Sequence, residues 1–256
     1  MRRGWAAWAL CALLAARAPA GEPLRIAAAA NLGRVMPALD DAFRAGGAPG
    51  EVTVTLGSSG SLVAQIENGA PFDVFLSADM DFPRALARAG RAEGATLRPF
   101  ALGRLVLWTT RPERLPHGLG QALRQPWIRR LSIASPSTAP FGRAAREALQ
   151  RLGLWASLQP RIVTAEDISQ AAQFVDTGNA DAGLISLSTV LAPAMKGRGS
   201  WQPVDPALYT PIVEGAILTR SGAPRPEARA YLQFLGGPAA GQVLKRAGYG
   251  LPAGRL

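Results

Sequence analysis

Two short segments combine residue types and spacing suited to holding an anion: Ala27-Ala28-Ala29-Ala30-Asn31-Leu32 and Gly57-Ser58-Ser59-Gly60-Ser61-Leu62. Each follows a short β-type run and leads into a helix-type pattern. A strand that ends in small residues and turns straight into a helix leaves backbone N–H groups free, aimed at whatever sits above the turn. The side-chain amide of Asn31 and the hydroxyl of Ser59 add donors beside those turns. A doubly ionised tetrahedral oxyanion has acceptors only. Hydroxyls, N–H groups and helix N-termini, each helix end worth about half a positive charge, are its natural complement. Hydrogen bonds to a charged group contribute about 1.5–3 kcal/mol each, so roughly six to eight outweigh an association cost of about 4 kcal/mol or more. The expected affinity is sub-micromolar. In a pocket of donors with no carboxylate, a protonated phosphate would leave its hydroxyl without an acceptor.

The elements that must position these turns alternate between short strands and amphipathic helices. Leu24–Ala28, Val52–Leu56, 73–77, Leu105–Thr109, Leu131–Ala134, Arg161–Thr164, Ala182–Ser186 and Ile212–Leu218 read as strands. Val35–Ala45 has Val35, Leu39 and Phe43 at i, i+4 and i+8 and reads as a helix. Residues 62–68, 83–89, 143–152, 167–176, 226–235 and 239–247 read likewise. Strands alternating with helices predict an α/β sandwich with largely parallel sheets.

Other chemistries lack their residues. Cys11, the single cysteine, lies within the N-terminal signal, and His117, the single histidine, sits in a Pro-flanked loop, so a Cys-His mechanism and a zinc site lack their components and a Ser-His-Asp mechanism has little to run on. Asp73, Asp79 and Asp81 flank a strand and read as turn carboxylates rather than metal ligands, and Glu166-Asp167 reads as a helix cap. No Lys-Ser/Thr follows the glycines of the second segment, which excludes a phosphate loop. Trp108, Trp127, Trp155 and Trp201 read as core residues.

The 256-residue chain has 28 basic and 18 acidic residues, net +10, and its arginines are scattered singly apart from Arg129-Arg130 after the N-terminal segment. No basic run interleaves with aromatics, so nucleic acid is not an expected partner, although a positive field helps to attract an anion. Arg2 and Arg3, the apolar stretch Trp5–Ala16 and Ala18-Pro19-Ala20 form a secretory signal over residues 1–20. Removing Arg2, Arg3 and Arg17 leaves 25 basic against 18 acidic residues, net +7. Acylation of Cys11 would leave almost no hydrophobic region before it, so a free exported protein is the expectation.

Gly57–Leu62, then Gln65-Ile66-Glu67-Asn68-Gly69-Ala70-Pro71, then Asp73–Asp79 resemble the periplasmic molybdate-binding proteins of ABC transporters. Gly142–Gly153, Ala165-Glu166-Asp167 and Phe234–Gly250 extend the likeness over nearly the whole chain after the signal, in order. The resemblance implies two α/β lobes, each a mixed, mostly parallel sheet with helices on both faces, joined by two crossovers with the ligand in the cleft. Lobe 1 is then 21–104 plus 216–256, and lobe 2 is 105–215, with hinges near Leu105 and Gly215.

Carried onto this sequence, the family's ligand contacts fall on Asn31, where many members have serine, and on the Ser59 hydroxyl. Phe141 and Ile168 would offer backbone N–H groups, and Ser186 stands where a tyrosine hydroxyl is common. Molybdenum would enter only as the centre of bound molybdate, through Asn31, Ser59, Phe141 and Ile168, with no metal-ion site and no cofactor. The implied function is periplasmic capture of molybdate, and of tungstate, by a monomer that delivers it to a membrane permease. The rivals are the same fold holding sulfate, thiosulfate or a carboxylate, and an enzyme or sensor on the same scaffold.

Overall fold

The computed structural model describes residues 22–47, 50–111 and 115–253. The expected signal segment, with Cys11, lies outside the described residues.

The chain starts with β1 (Leu24–Ala29), α1 (Met36–Ala45), β2 (Val52–Gly57), α2 (Ser59–Glu67), β3 (Val74–Ser77), α3 (Asp81–Arg88) and β4 (Arg98–Gly103). It crosses at Arg104 into β5 (Leu105–Thr109), α4 (Leu119–Leu123), β6 (Leu131–Ala134), α5 (Pro140–Arg151) and α6 (Trp155–Leu158). There follow β7 (Ile162–Ala165), α7 (Ile168–Asp176), β8 (Ala182–Ser186), α8 (Leu187–Leu191) and β9 (Ser200–Pro203). It then returns with β10 (Ile212–Leu218), α9 (Pro226–Gly236) and α10 (Pro238–Arg246).

Two five-stranded sheets result, ordered β2-β1-β3-β10-β4 and β7-β6-β8-β5-β9. They share one plan. In the first, β2, β1 and β3 are parallel and β10 runs against β3 and β4. In the second, β7, β6 and β8 are parallel and β5 runs against β8 and β9. Helices follow the strands because parallel neighbours require crossover connections.

Period-two alternation sends successive side chains to opposite faces of the first sheet. Ile26, Ala28, Val74 and Leu76 pack under α1, α9 and α10, while Ala27, Phe75 and Ile217 pack under α2 and α3. Phe43 of α1 meets the Tyr231 ring edge-on at 4.9 Å and Phe234 at 5.3 Å. That contact fixes α1 against α9, and with it the turn that precedes α1. The second sheet is covered by α4, α5 and α7, and its apolar cluster continues into Ala29, Ala30 and Ala78 of the first lobe.

Two expectations need correction. β10 pairs along its length with β3 and β4, so residues 212–215, expected in the second lobe, lie in the first sheet. The return crossing falls at Thr210 and Pro211: the Tyr209 hydroxyl still accepts from Leu105 N, whereas Ile212 already pairs with Gly103. Gly215 therefore sits inside a strand, at a register shift, and not at the hinge. Strands β4 and β9 carry weak apolar patterns and were not expected; both are held by pairing to a long central neighbour.

Candidate functional site

The carboxyl ends of the parallel strands from both sheets meet. β1 ends at Ala29 and enters a single 3-10 turn, Ala30–Leu32, with Asn31 at its centre. β2 ends at Gly57; Ser58 caps α2 through Ser61 N, which makes Ser59 the first helical residue. β6 leads to α5, whose N-cap is Ala139 and whose first residues are Pro140 and Phe141. β7 leads to α7, capped by Asp167 Oδ1, which accepts from Ser169 N and Gln170 N at 2.8 and 2.9 Å. Ile168 is the first residue of that helix.

These turns enclose a cavity of about 10 Å³ lined by Ala30, Asn31, Ser59, Phe141 and Ile168 among others. Organic-ligand pockets run to about 300–1,000 Å³. This space is far smaller, about that of one water, and excludes an organic ligand. Among the described residues, no protein acceptor meets the backbone N–H of Asn31, Ser59, Phe141 or Ile168. First-turn N–H groups point out of the helix start, here towards the cavity. Four free donors and four turn or helix N-termini converge, and neither lysine nor arginine lines the space.

The Ser59 hydroxyl accepts from Ala78 N at 3.0 Å. With that lone pair engaged, its own hydrogen remains to be donated into the cavity. Gly60 makes the closeness possible. Its N–H donates to Thr138 O of the other lobe at 2.9 Å, and a Cβ there would lie 3.0 Å from Thr138 Cα.

Asn31 is placed differently from its expected use. Both hydrogens of its amide are engaged, to Glu214 Oε1 at 2.7 Å and to Tyr249 Oη at 3.0 Å. Its side chain therefore points into the protein, and its backbone N–H is the donor left for the cavity. Glu214 is fully buried, and its Oε2 has no partner among the described residues. Burial pushes its carboxyl up to about 8, partly offset by the Asn31 hydrogen bond, so the side chain is mostly neutral at pH 7. Burial also raises the Tyr249 phenol well above its ordinary range.

The structure brings Asn31, Ser59, Phe141 and Ile168 together, but not Ser186. The Ser186 hydroxyl is taken by Thr189 Oγ1 at 2.8 Å and Ser188 Oγ at 3.1 Å, and it is not among the residues that line the cavity. The expectation of a carboxylate-free surround also needs correction. Asp167 lies in the lining with Oδ1 spent on its helix cap, and Glu214 stands behind Asn31. Glu214 and Tyr249 escaped sequence reading, although one acidic residue inside the apolar run Ile212–Leu218 is a usable signal. A larger cleft of about 670 Å³ adjoins through Ala78 and Pro140, where Arg143 pairs with Asp79 across the lobes. It is lined by acidic and basic side chains, among them Asp81, Arg84 and Glu147, and lacks the converging donors.

Residues 24–250 match the family model described as bacterial extracellular solute-binding protein. The chain belongs to that family. Among its relatives, the molybdate-binding protein ModA of Azotobacter vinelandii is 38% identical over 93% of this chain and 94% of its own length. The ModA protein of Rhodobacter capsulatus is 40% identical over 77% of each chain. The solved structure of the periplasmic molybdate-binding protein of Azotobacter vinelandii superposes with a TM-score of 0.84 at 35% identity. That match covers 90% of this chain and 99% of the other. The two-lobed architecture of this solute-binding protein is thus that of a known molybdate binder.

Proposed function

We propose that this protein captures molybdate, and also tungstate, between its lobes outside the cytoplasm and delivers it to an ABC transporter permease. The observation that carries the reading is the convergence of four unengaged backbone N–H groups and the Ser59 hydroxyl on a space of about 10 Å³. The groups that converge on it are donors, and the one lining carboxylate, Asp167, has its Oδ1 engaged in a helix cap, which suits a dianion with acceptors only. The similarity to ModA proteins along most of the chain supports molybdate as the ion.

In the working cycle the anion meets the turns of one lobe, and closure about Arg104 and Thr210–Pro211 brings up those of the other. Asn31 and Ser59 serve the first lobe; Phe141 and Ile168 serve the second. Uncharged dipoles hold the ion without a buried ammonium or guanidinium, so opening the cleft is enough to release it. The protein acts as a periplasmic monomeric receptor rather than an enzyme, a reading supported by its membership of an extracellular solute-binding family.

Titration calorimetry tests this directly. Heat with molybdate and tungstate, and none with phosphate, is the expected outcome. Heat with sulfate or thiosulfate alone would assign the site to a different anion, and turnover of any small anionic substrate would reject the receptor role.

A further inference from the structure

The turn Ala30-Asn31 is gripped from the other lobe at two consecutive carbonyls. Ser169 Oγ, in the first turn of α7, donates to Ala30 O at 3.1 Å. Ser188 Oγ, on α8, donates to Asn31 O at 3.1 Å. Neither serine lines the anion cavity.

Each of the two carbonyls also has a donor within its own lobe. Gly33 N donates to Ala30 O at 3.0 Å, and the Tyr249 hydroxyl approaches Asn31 O at 2.9 Å. A carbonyl has two lone pairs. One is served whether the lobes are apart or together, and the second is served only when they meet. Separation thus leaves no buried acceptor orphaned: the single Ser188 hydrogen passes to Ser186 Oγ, 3.1 Å away in its own lobe, the Tyr249 hydrogen, which also faces Ser188 Oγ at 3.0 Å, stays on Asn31 O, and Ser169 turns to water. The contacts add to closure without being needed for folding.

They also bear on the anion. The peptide that carries the Ala30 carbonyl carries the Asn31 N–H, so a donor on the oxygen polarises the N–H that faces the cavity. Ser169 immediately follows Ile168, whose N–H reaches the same cavity from the second lobe. One helix start therefore delivers an anion donor and a clamp on the opposite lobe together.

We propose that Ser169 and Ser188 are positioning residues that form a closure clamp, holding the Ala30-Asn31 turn on the bound oxyanion without touching it. The clamp rests on the anion-receptor reading above. Its contribution belongs to the closed state, so its loss acts on the dissociation rate. Deleting a neutral hydrogen bond of this kind corresponds to a change of about two- to tenfold.

The test compares the purified protein with Ser169→Ala, Ser188→Ala and the double variant, using molybdate titration, stopped-flow kinetics and ligand-free melting. The expected result is a weaker Kd, by about two- to tenfold for each change, with faster dissociation, unchanged association and an unchanged ligand-free melting temperature. A double variant that binds within twofold of the unaltered protein, or that loses affinity through slower association, overturns the clamp. If the unaltered protein gives no heat with molybdate, it is the molybdate reading that fails. The same comparison with the anion that does give heat, among tungstate, sulfate and thiosulfate, then decides the clamp: weaker binding with faster dissociation in the double variant supports it, and equal binding overturns it.

Discussion

Glu214 Oε1 accepts a hydrogen bond from Asn31 Nδ2 at 2.7 Å, joining the middle of the returning strand to the first turn of the cavity wall. This contact turns the Asn31 amide away from the anion and places a buried carboxyl behind it. The carboxyl is tolerable there because burial holds it mostly protonated at neutral pH, raising it from the ordinary 4.5 to about 8. A charged Glu214 would oppose both burial and a bound dianion.

The pH dependence follows with a definite sign. The folded value exceeds the unfolded one, so this group's stabilising contribution is complete below about 4.5 and is lost as pH rises through about 8. Glu214→Gln keeps an acceptor for Asn31 and cannot ionise. Denaturant melts at pH 5, 7 and 9 should show the unaltered protein losing stability relative to the Gln variant as pH rises. Anion affinity should fall above pH 8 in the unaltered protein and stay flatter in the variant. Parallel pH profiles in the two proteins would remove Glu214 from this role.

Ser59→Ala should weaken anion binding by about 10- to 150-fold, the equivalent of one hydrogen bond to a charged group. The loss is direct, because the Ser59 hydrogen is the one side-chain donor left free by its contact to Ala78 N. Calorimetry against molybdate reads it. A change of less than threefold would mean that the hydroxyl does not reach the ion.

Asn31→Ala should act on stability more than on binding. It removes two buried hydrogen bonds and leaves the Glu214 carboxyl unpartnered, a cost of about 1–3 kcal/mol. In a protein of this size that corresponds to a melting temperature lower by roughly 2–12 °C. The backbone N–H survives the substitution, so affinity should fall only a few-fold. Intact melting with a large loss of affinity would show that the side chain reaches the ion after all.

Gly142→Ala probes the approach of α5 to the cavity. A Cβ at this position would fall 2.2 Å from Ala134 O and 2.7 Å from Ala134 C, both backbone atoms with little room to yield. The helix start must then shift, and the adjacent Phe141 N–H shifts with it. We expect destabilisation of about 1–3 kcal/mol or more, together with lost anion binding. Retained stability and affinity would mean that α5 can slide without consequence for the site.

Much of this was legible in the chain alone. Alternating apolar runs and amphipathic helices gave β1, β2, β5, β6, β8 and β10 within a residue or two, because each carries its own hydrophobic period. The start of α7 was marked locally by the Glu166-Asp167 cap, since capping depends on neighbouring residues only, whereas α2, expected from 62, begins at Ser59 because the glycine-serine turn is taken up into the helix. β4 and β9 were not legible, because their order comes from partners far along the chain.

The sequence by itself determined that donors would be gathered at strand-to-helix turns, for those turns are written in consecutive residues. Only the tertiary structure decided which atoms face the cavity. Asn31 could donate by side chain or by backbone. The choice was made by Glu214 and Tyr249, 183 and 218 positions away, which occupy both amide hydrogens. Ser186 was withdrawn from the cavity in the same way, by hydroxyls that fold back on it. A hydrogen-bonding group has few valences, and the partners that claim them are brought near by packing rather than by neighbouring sequence.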